Sequence, residues 1–208
     1  MKTKVLLIGA ALGLAVATAS ADAVYSSNVV GYVNVDLAKG WNMIANPLDS
    51  GNNMLSSVIP TAPYNTAVYK FENGAYLTPS IFDEDEEAWT IDYSLNPGEG
   101  VFINAPEAFT VTFVGEVKAG FHSVELPAGW SIVSSPTPVA GTLEEIGLTS
   151  AVDFNDAVYK FENGAYLTPS IFDEDEEAWS IDYNIAVGEA FFLKKASTSI
   201  WTRTFEIK

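Results

Sequence analysis

The chain of 208 residues has no cysteine and a single histidine, His122. Without thiols there is no disulfide framework, no cysteine-ligated zinc, no thiol-attached haem and no cysteine nucleophile. One imidazole leaves one place for a Ser-His-Asp triad, with Ser134 or Ser135 as candidate nucleophile, and no motif singles out either serine. A lone strand histidine reads instead as structural. Basic residues are also scarce, 10 Lys and Arg against 27 Asp and Glu, for a formal net charge of −17. Such a surface repels phosphate backbones, so nucleic acid is not an expected partner, and it attracts cations. No phosphate loop is present: Gly98-Glu99-Gly100 and Gly188-Glu189-Ala190 lack both the GxGxxG spacing and a following helix, and read as turns.

Long apolar runs are absent except at the start. Lys2 and Lys4 precede an apolar run from Val5 to Ala17, followed by the small residues Ala19, Ala21 and Ala23. This is the pattern of a Sec-type signal peptide, residues 1–21, with cleavage after Ala21 or after Ala23. The run is shorter than the roughly 20 residues a transmembrane helix requires. The mature chain is therefore expected to be exported and to carry no transmembrane anchor, at the cell surface or outside rather than in the periplasm. It retains 8 basic residues against 27 acidic ones, a net charge near −19. A hydrophobic content of 48% with 12% aromatics suffices to build a core, so disorder is not expected.

What the chain has in abundance is itself. Asn65 to Tyr93 recurs as Asn155 to Tyr183, with changes only at Thr66/Asp156 and Thr90/Ser180. The similarity extends outward, from Gly31-Tyr32-Val33 against Gly120-Phe121-His122 to Ala108–Lys118 against Thr198–Lys208. The chain thus reads as a tandem duplication, with a first β unit at 22–118 and a second at 119–208. No Gly/Ser- or Pro-rich linker separates the two, which predicts fixed packing between them.

Within a unit the signals are those of short strands. Val33, Val35 and Leu37 alternate with polar residues over Val30–Leu37, and Trp41–Ala45 follows a Lys39-Gly40 turn. Residues 52–59 predict one helical turn, and Thr142 with Glu145 fits a capping box. Asn73-Gly74 between Ala67–Phe71 and Ala75–Thr78 is a strong hairpin signal, because a type I′ turn needs two positive φ angles. Pro79 ends that strand. Strands are expected again at Ala88–Tyr93, Gly100–Asn104 and Thr110–Val117, and Val24–Val30 is expected to add one to the first unit. The fold class is all-β: two tandem small β-sandwich or barrel-like units of about 90 residues each.

Two candidate sites stand out. The acidic run Asp83-Glu84-Asp85-Glu86-Glu87 and its copy Asp173–Glu177 place like charges side by side. A bend that gathered Asp83, Asp85 and Glu87, or Asp173, Asp175 and Glu177, would supply oxygen ligands for calcium. The alternative is a solvated hairpin tip that discourages edge-to-edge aggregation. The second candidate is aromatic: Tyr76, Trp89, Tyr166 and Trp179 are candidate sugar-stacking platforms, against the alternative that they pack in the core. Trp41 and Trp130, each following a glycine, read as core anchors.

The segments Gly40-Trp41-Asn42-Met43-Ile44-Ala45-Asn46-Pro47, Val68-Tyr69 and Pro97-Gly98-Glu99-Gly100-Val101-Phe102-Ile103 resemble a loose class of bacterial secreted and cell-surface β modules. That class shows a GWN-x-I-x-NP opening, a central VY strand and a closing PGEG-x-F-I strand. The resemblance spans most of residues 31–208. It implies a secreted or cell-surface setting without assigned activity and brings no catalytic residues; the lack of a catalytic constellation in the chain itself is what points to a non-enzymatic role. The second unit lacks the counterparts of Asn42, Asn46 and Pro97, which argues against a ligand role for those three. The expected function is a structural, adhesive or surface-coat protein, with a surface polysaccharide or another protein as partner. The alternative is a carbohydrate-binding protein, with or without calcium.

Overall fold

A computed structural model describes residues 29–207. The expected signal peptide and nearly all of the expected strand at Val24–Val30 lie outside the described residues. The first half of the chain runs β1 (Val30–Leu37), β2 (Gly40–Ala45), a helical turn α1 (Leu55–Val58), β3 (Ala67–Glu72), β4 (Ala75–Tyr76), β5 (Ser80–Asp83), β6 (Ala88–Trp89), β7 (Gly100–Ala105) and β8 (Phe109–Glu116). The second half runs β9 (Gly120–Leu126), β10 (Gly129–Ser134), β11 (Gly141–Thr142), a 3₁₀ turn (Leu148–Ala151), β12 (Ala157–Tyr159), β13 (Phe161–Glu162), β14 (Ala165–Tyr166), β15 (Ser170–Asp173), β16 (Ala178–Trp179), β17 (Asn184–Ile185), β18 (Ala190–Lys195) and β19 (Ser199–Phe205). The protein is all-β, and its ladders are antiparallel.

In the first half, β1 and β8 form a two-stranded ribbon that lies over a sheet of order β2-β7-β3-β5-β6, with β4 hairpinned onto β3. The alternation in β1 turns Val33, Val35 and Leu37 inward, and β8 adds Val111 and Phe113. They meet Ile44, Val68, Phe82, Val101 and Ile103 from the larger sheet, a sandwich-like arrangement of two layers around one core. In the second half, β9 pairs with β19 over a sheet of order β10-β18-β12-β15-β16. Its core gathers Leu126, Val133, Val158, Phe191, Leu193 and Trp201. A third cluster, Met43, Ala45, Phe102, Ile132, Ala190 and Phe192, joins the two halves.

Local chemistry explains the elements. The Asn42 side chain closes the Lys39-Gly40 turn, accepting from Ala38 N–H at 3.0 Å and donating to Ala38 O at 2.8 Å. Buried Asn46 donates to Leu95 O and accepts from Leu48 N–H, so both asparagines of the opening motif are structural. Helical turn α1 is capped from a distance by Asp92, which accepts from Ser56 N–H and Oγ–H. Thr142 and Glu145 exchange the two hydrogen bonds of a capping box, Glu145 N–H to Thr142 Oγ1 at 3.2 Å and Thr142 N–H to Glu145 Oε2 at 3.0 Å, although the chain there forms turns rather than an α-helix.

Two expectations need correcting. Ala88–Tyr93 is not one strand: only Ala88–Trp89 pairs, because the Ser80 hydroxyl takes both backbone groups of Ile91 and replaces the ladder there. Conversely, Ser80–Asp83 is a strand directly after Pro79, paired to β3 on one side and β6 on the other.

Candidate functional site

The site that emerges is an aromatic groove, and its geometry starts from the two Asn-Gly turns. Asn73 and Gly74 both have positive φ (51° and 80°), as do Asn163 and Gly164 (52° and 82°). That is the twist a two-residue hairpin requires. Each turn pairs a phenylalanine with a tyrosine across the strands, Phe71 with Tyr76 and Phe161 with Tyr166. The base of each hairpin is tied down by a lysine. Lys70 donates to Ser94 O and Oγ and pairs with Glu72 and Glu99. Lys160 donates to Asn184 O and pairs with Glu162 and Glu189. Glu99 and Glu189, the acids of the closing motif, thereby brace the hairpins, and they also accept the N–H groups of Asn96 and Ala186.

The halves meet around an approximate two-fold relation. Ala45 N–H donates to Gly188 O at 2.9 Å, and the counterpart Ser134 N–H donates to Gly98 O at 3.0 Å. Backbones come this close because Gly98 and Gly188 have no side chain. A Cβ on Gly98 would lie 2.4 Å from Val124 Cγ2, and one on Gly188 2.5 Å from Val35 Cγ2. Each hairpin consequently leans on the sheet of the other half. Phe71 meets Phe192 edge-on at 5.1 Å, and Phe161 meets Phe102 edge-on at 5.0 Å. Tyr76 and Tyr166 both sit within 6.5 Å of Phe102 and Phe192.

The two tyrosines divide the groove into two cavities. One, of about 390 Å³, is lined by Trp41, Tyr69, Tyr76, Phe102, Phe161, Tyr166 and Gly164. The other, of about 370 Å³, is lined by Phe71, Tyr76, Trp130, Tyr159, Tyr166 and Phe192. All the side chains of both walls are aromatic. Partial burial pushes the Tyr76 hydroxyl pKa up, and burial together with Tyr76 pushes that of Tyr166 up to about 12. Both phenols are therefore neutral at physiological pH.

The candidate residues sort clearly. Tyr76 and Tyr166 are each 48% exposed and stand in the groove. Trp89 and Trp179 are not platforms: each is only 7% exposed and packs against Phe82 or Phe172, with its indole N–H donating to Ile59 O or Thr149 Oγ1. The reading of Trp41 and Trp130 as core anchors is also overturned, since they are 43% and 40% exposed. Position along the strand gives the reason: Trp41 shares the face of Met43, but Met43 is covered in the joint between the halves, whereas Trp41 sits at the open end of β2 beside Tyr69. The signal that could have found them was the alternation Tyr69-Phe71 with Phe102 and Trp41, which gathers aromatics on one face beside Met43.

The acidic runs are tips between β5 and β6 and between β15 and β16. Asp83 Oδ1 turns back to accept N–H from Asp85 and Glu86, and Asp173 does the same for Asp175 and Glu176. Glu87 and Glu177 close the tips with φ of 49°. Asp83, Asp85 and Glu87, like Asp173, Asp175 and Glu177, are thus not gathered on one point. Among the described residues no group of three or more acidic or histidine side chains is arranged to hold a metal. His122 bonds Lys118 O, while Ser134 and Ser135 donate to Glu99 O and Thr137 O, so no triad is brought together. No described helix is long and apolar enough to cross a membrane. No family model, no curated protein and no solved structure matches this chain.

Proposed function

We propose that the protein is an exported, non-enzymatic adhesive protein of two repeated β units, residues 22–118 and 119–208, that attaches to its partner through the aromatic groove. The observation that carries this reading is the groove's composition: large rings, four of them 40–48% exposed, on a face braced from both halves. Leaving Trp and Tyr in water has a hydrophobic cost that a soluble fold has no need to bear. Trp and Tyr are also the residues that dominate binding hot spots. Carbohydrate is the second reading of the partner, favoured by the exposed faces of Tyr76 and Tyr166.

The test is attachment of the labelled mature chain to bacterial cell surfaces and to a glycan array. A Trp41→Ala/Trp130→Ala variant should lose attachment while keeping the melting temperature within a few degrees. Undiminished attachment by that folded variant would refute the groove as the contact surface.

A further inference from the structure

The two cavities of the groove are close copies with one telling difference. The residue across the ladder from Trp130 is Lys194, and its ammonium lies over the Trp130 ring, 5.7 Å from the centroid. The residue across the ladder from Trp41 is Asn104. One indole is therefore already paired with a cation from its own chain, while its counterpart faces the same kind of cavity without one.

We propose that the cavity bounded by Trp41, Tyr69, Tyr76, Phe102, Phe161 and Tyr166 binds a methylated ammonium group, the head of a quaternary or multiply methylated amine. The inference deepens the proposed attachment site and rests on that reading. Ring faces attract cations through their quadrupole, and the attraction is strongest where water is displaced and Trp contributes. The rings meet at steep angles, Trp41 edge-on to Phe102 at 88° and Tyr76 edge-on to Tyr69 at 88°, so they line an open groove with several ring faces rather than form one flat platform. A volume of about 390 Å³ accommodates a trimethylammonium head with part of its attached chain.

The lining also discriminates between ligand classes. A sugar requires hydrogen-bonding side chains beside the ring it stacks on, and a primary ammonium requires acceptors for its three protons. The lining side chains offer neither carboxylate nor amide, only the phenol hydroxyls of Tyr69, Tyr76 and Tyr166 and the indole N–H of Trp41. A methylated ammonium carries charge but needs few or no hydrogen bonds, which is what this wall can satisfy. A net charge of −17 adds long-range attraction for such a cation and repulsion for anionic ligands. The cavity is assembled from both halves, because Phe161 and Tyr166 come from the second hairpin and close the wall begun by Trp41 and Tyr69.

Tetramethylammonium is the probe, titrated against the intrinsic tryptophan fluorescence of the mature chain and by calorimetry, with tetramethylphosphonium as a charge-matched check and neopentanol as the neutral isostere. The expected result is saturable binding at one site, weakened about tenfold or more in Trp41→Ala and unchanged in Trp89→Phe. Asn104→Lys installs the second half's own cation and should abolish binding without removing a ring. Lys194→Asn should remove the competing cation from the Trp130 ring and raise the stoichiometry from one to two. This gain cannot be produced by a misfolded variant. Free choline, a trimethyllysine peptide and phosphatidylcholine vesicles then separate the sources of the headgroup by relative affinity.

Equal binding of neopentanol, or a stoichiometry indifferent to both Asn104→Lys and Lys194→Asn, would overturn the inference. If the folded Trp41→Ala/Trp130→Ala variant loses attachment but no methylated cation binds, the attachment reading survives and this one fails. If the cation binds and attachment is unaffected by the same variant, the reverse holds.

Discussion

Asp156 and Lys195 form an ion pair with no solvent exposure on either side chain. Asp156 also accepts N–H from Asp153 and Ala196, and Lys195 donates to Ala151 O. The matching positions in the first half are Thr66, whose hydroxyl donates to Pro63 O, and Ala105, a buried methyl. One of the two differences between the repeated stretches is thus half of a paired exchange, Thr with Ala for Asp with Lys. Removing one partner leaves a buried charge alone, so Asp156→Ala should cost about 3–5 kcal/mol. Asp156→Thr/Lys195→Ala, which copies the first half, should recover most of that loss in urea unfolding. The indoles give a second contrast. Trp89→Ala and Trp179→Ala should each cost about 3–5 kcal/mol through the cavity left behind, whereas Trp41→Ala should stay within about 1 kcal/mol. Tyr166 gives a pH signature. Its folded-state pKa near 12 exceeds the ordinary 10.0, so the unfolded chain ionises first. The stability it contributes is fully present below pH 10 and is lost as pH rises towards 12. Phenolate absorbance should show a late-titrating tyrosine that disappears in Tyr166→Phe.

The hairpins set the groove, and each depends on a glycine whose φ disfavours any side chain. Gly164→Ala, at φ 82°, should cost about 1–2 kcal/mol and should disturb the Trp41 cavity, which Gly164 helps to line. The check is a thermal melt beside a ligand titration. Gly74→Ala should cost as much while affecting that cavity less. These turns were legible in the sequence because Asn-Gly carries its own backbone requirement, and β1 was legible because Val33, Val35 and Leu37 alternate on one buried face. The strand Ser80–Asp83 was not, since its ladder begins directly after a proline and its partners are set by tertiary pairing with Ala67 and Val68. Nor was the exchange of roles between Trp41 and Trp89. Both stand in strands with aromatic neighbours, and only the packing of Ile59, Phe82 and α1 over Trp89 decides which indole is covered. The cavity itself could not be read from either repeat alone, because half of its wall comes from the other.

At the scale of the molecule, the joint between the halves is what turns two hairpins into one groove. Met43, Ala45, Phe102, Ile132, Ala190 and Phe192 bury its centre, and the paired contacts at Gly98 and Gly188 fix its closeness. Gly98→Ala would force a methyl against Val124 and should separate the halves locally, lowering the melting temperature and weakening ligand binding together. The charge of −17 resists self-association and attracts cations to the molecule as a whole. The most direct test of a shared cation-binding groove is the set of nuclear Overhauser contacts from bound tetramethylammonium methyl protons. The account predicts an upfield-shifted methyl signal, from the ring currents around it, with contacts to both Trp41 of the first half and Tyr166 of the second. An unshifted methyl signal, or contacts confined to one half, would contradict it.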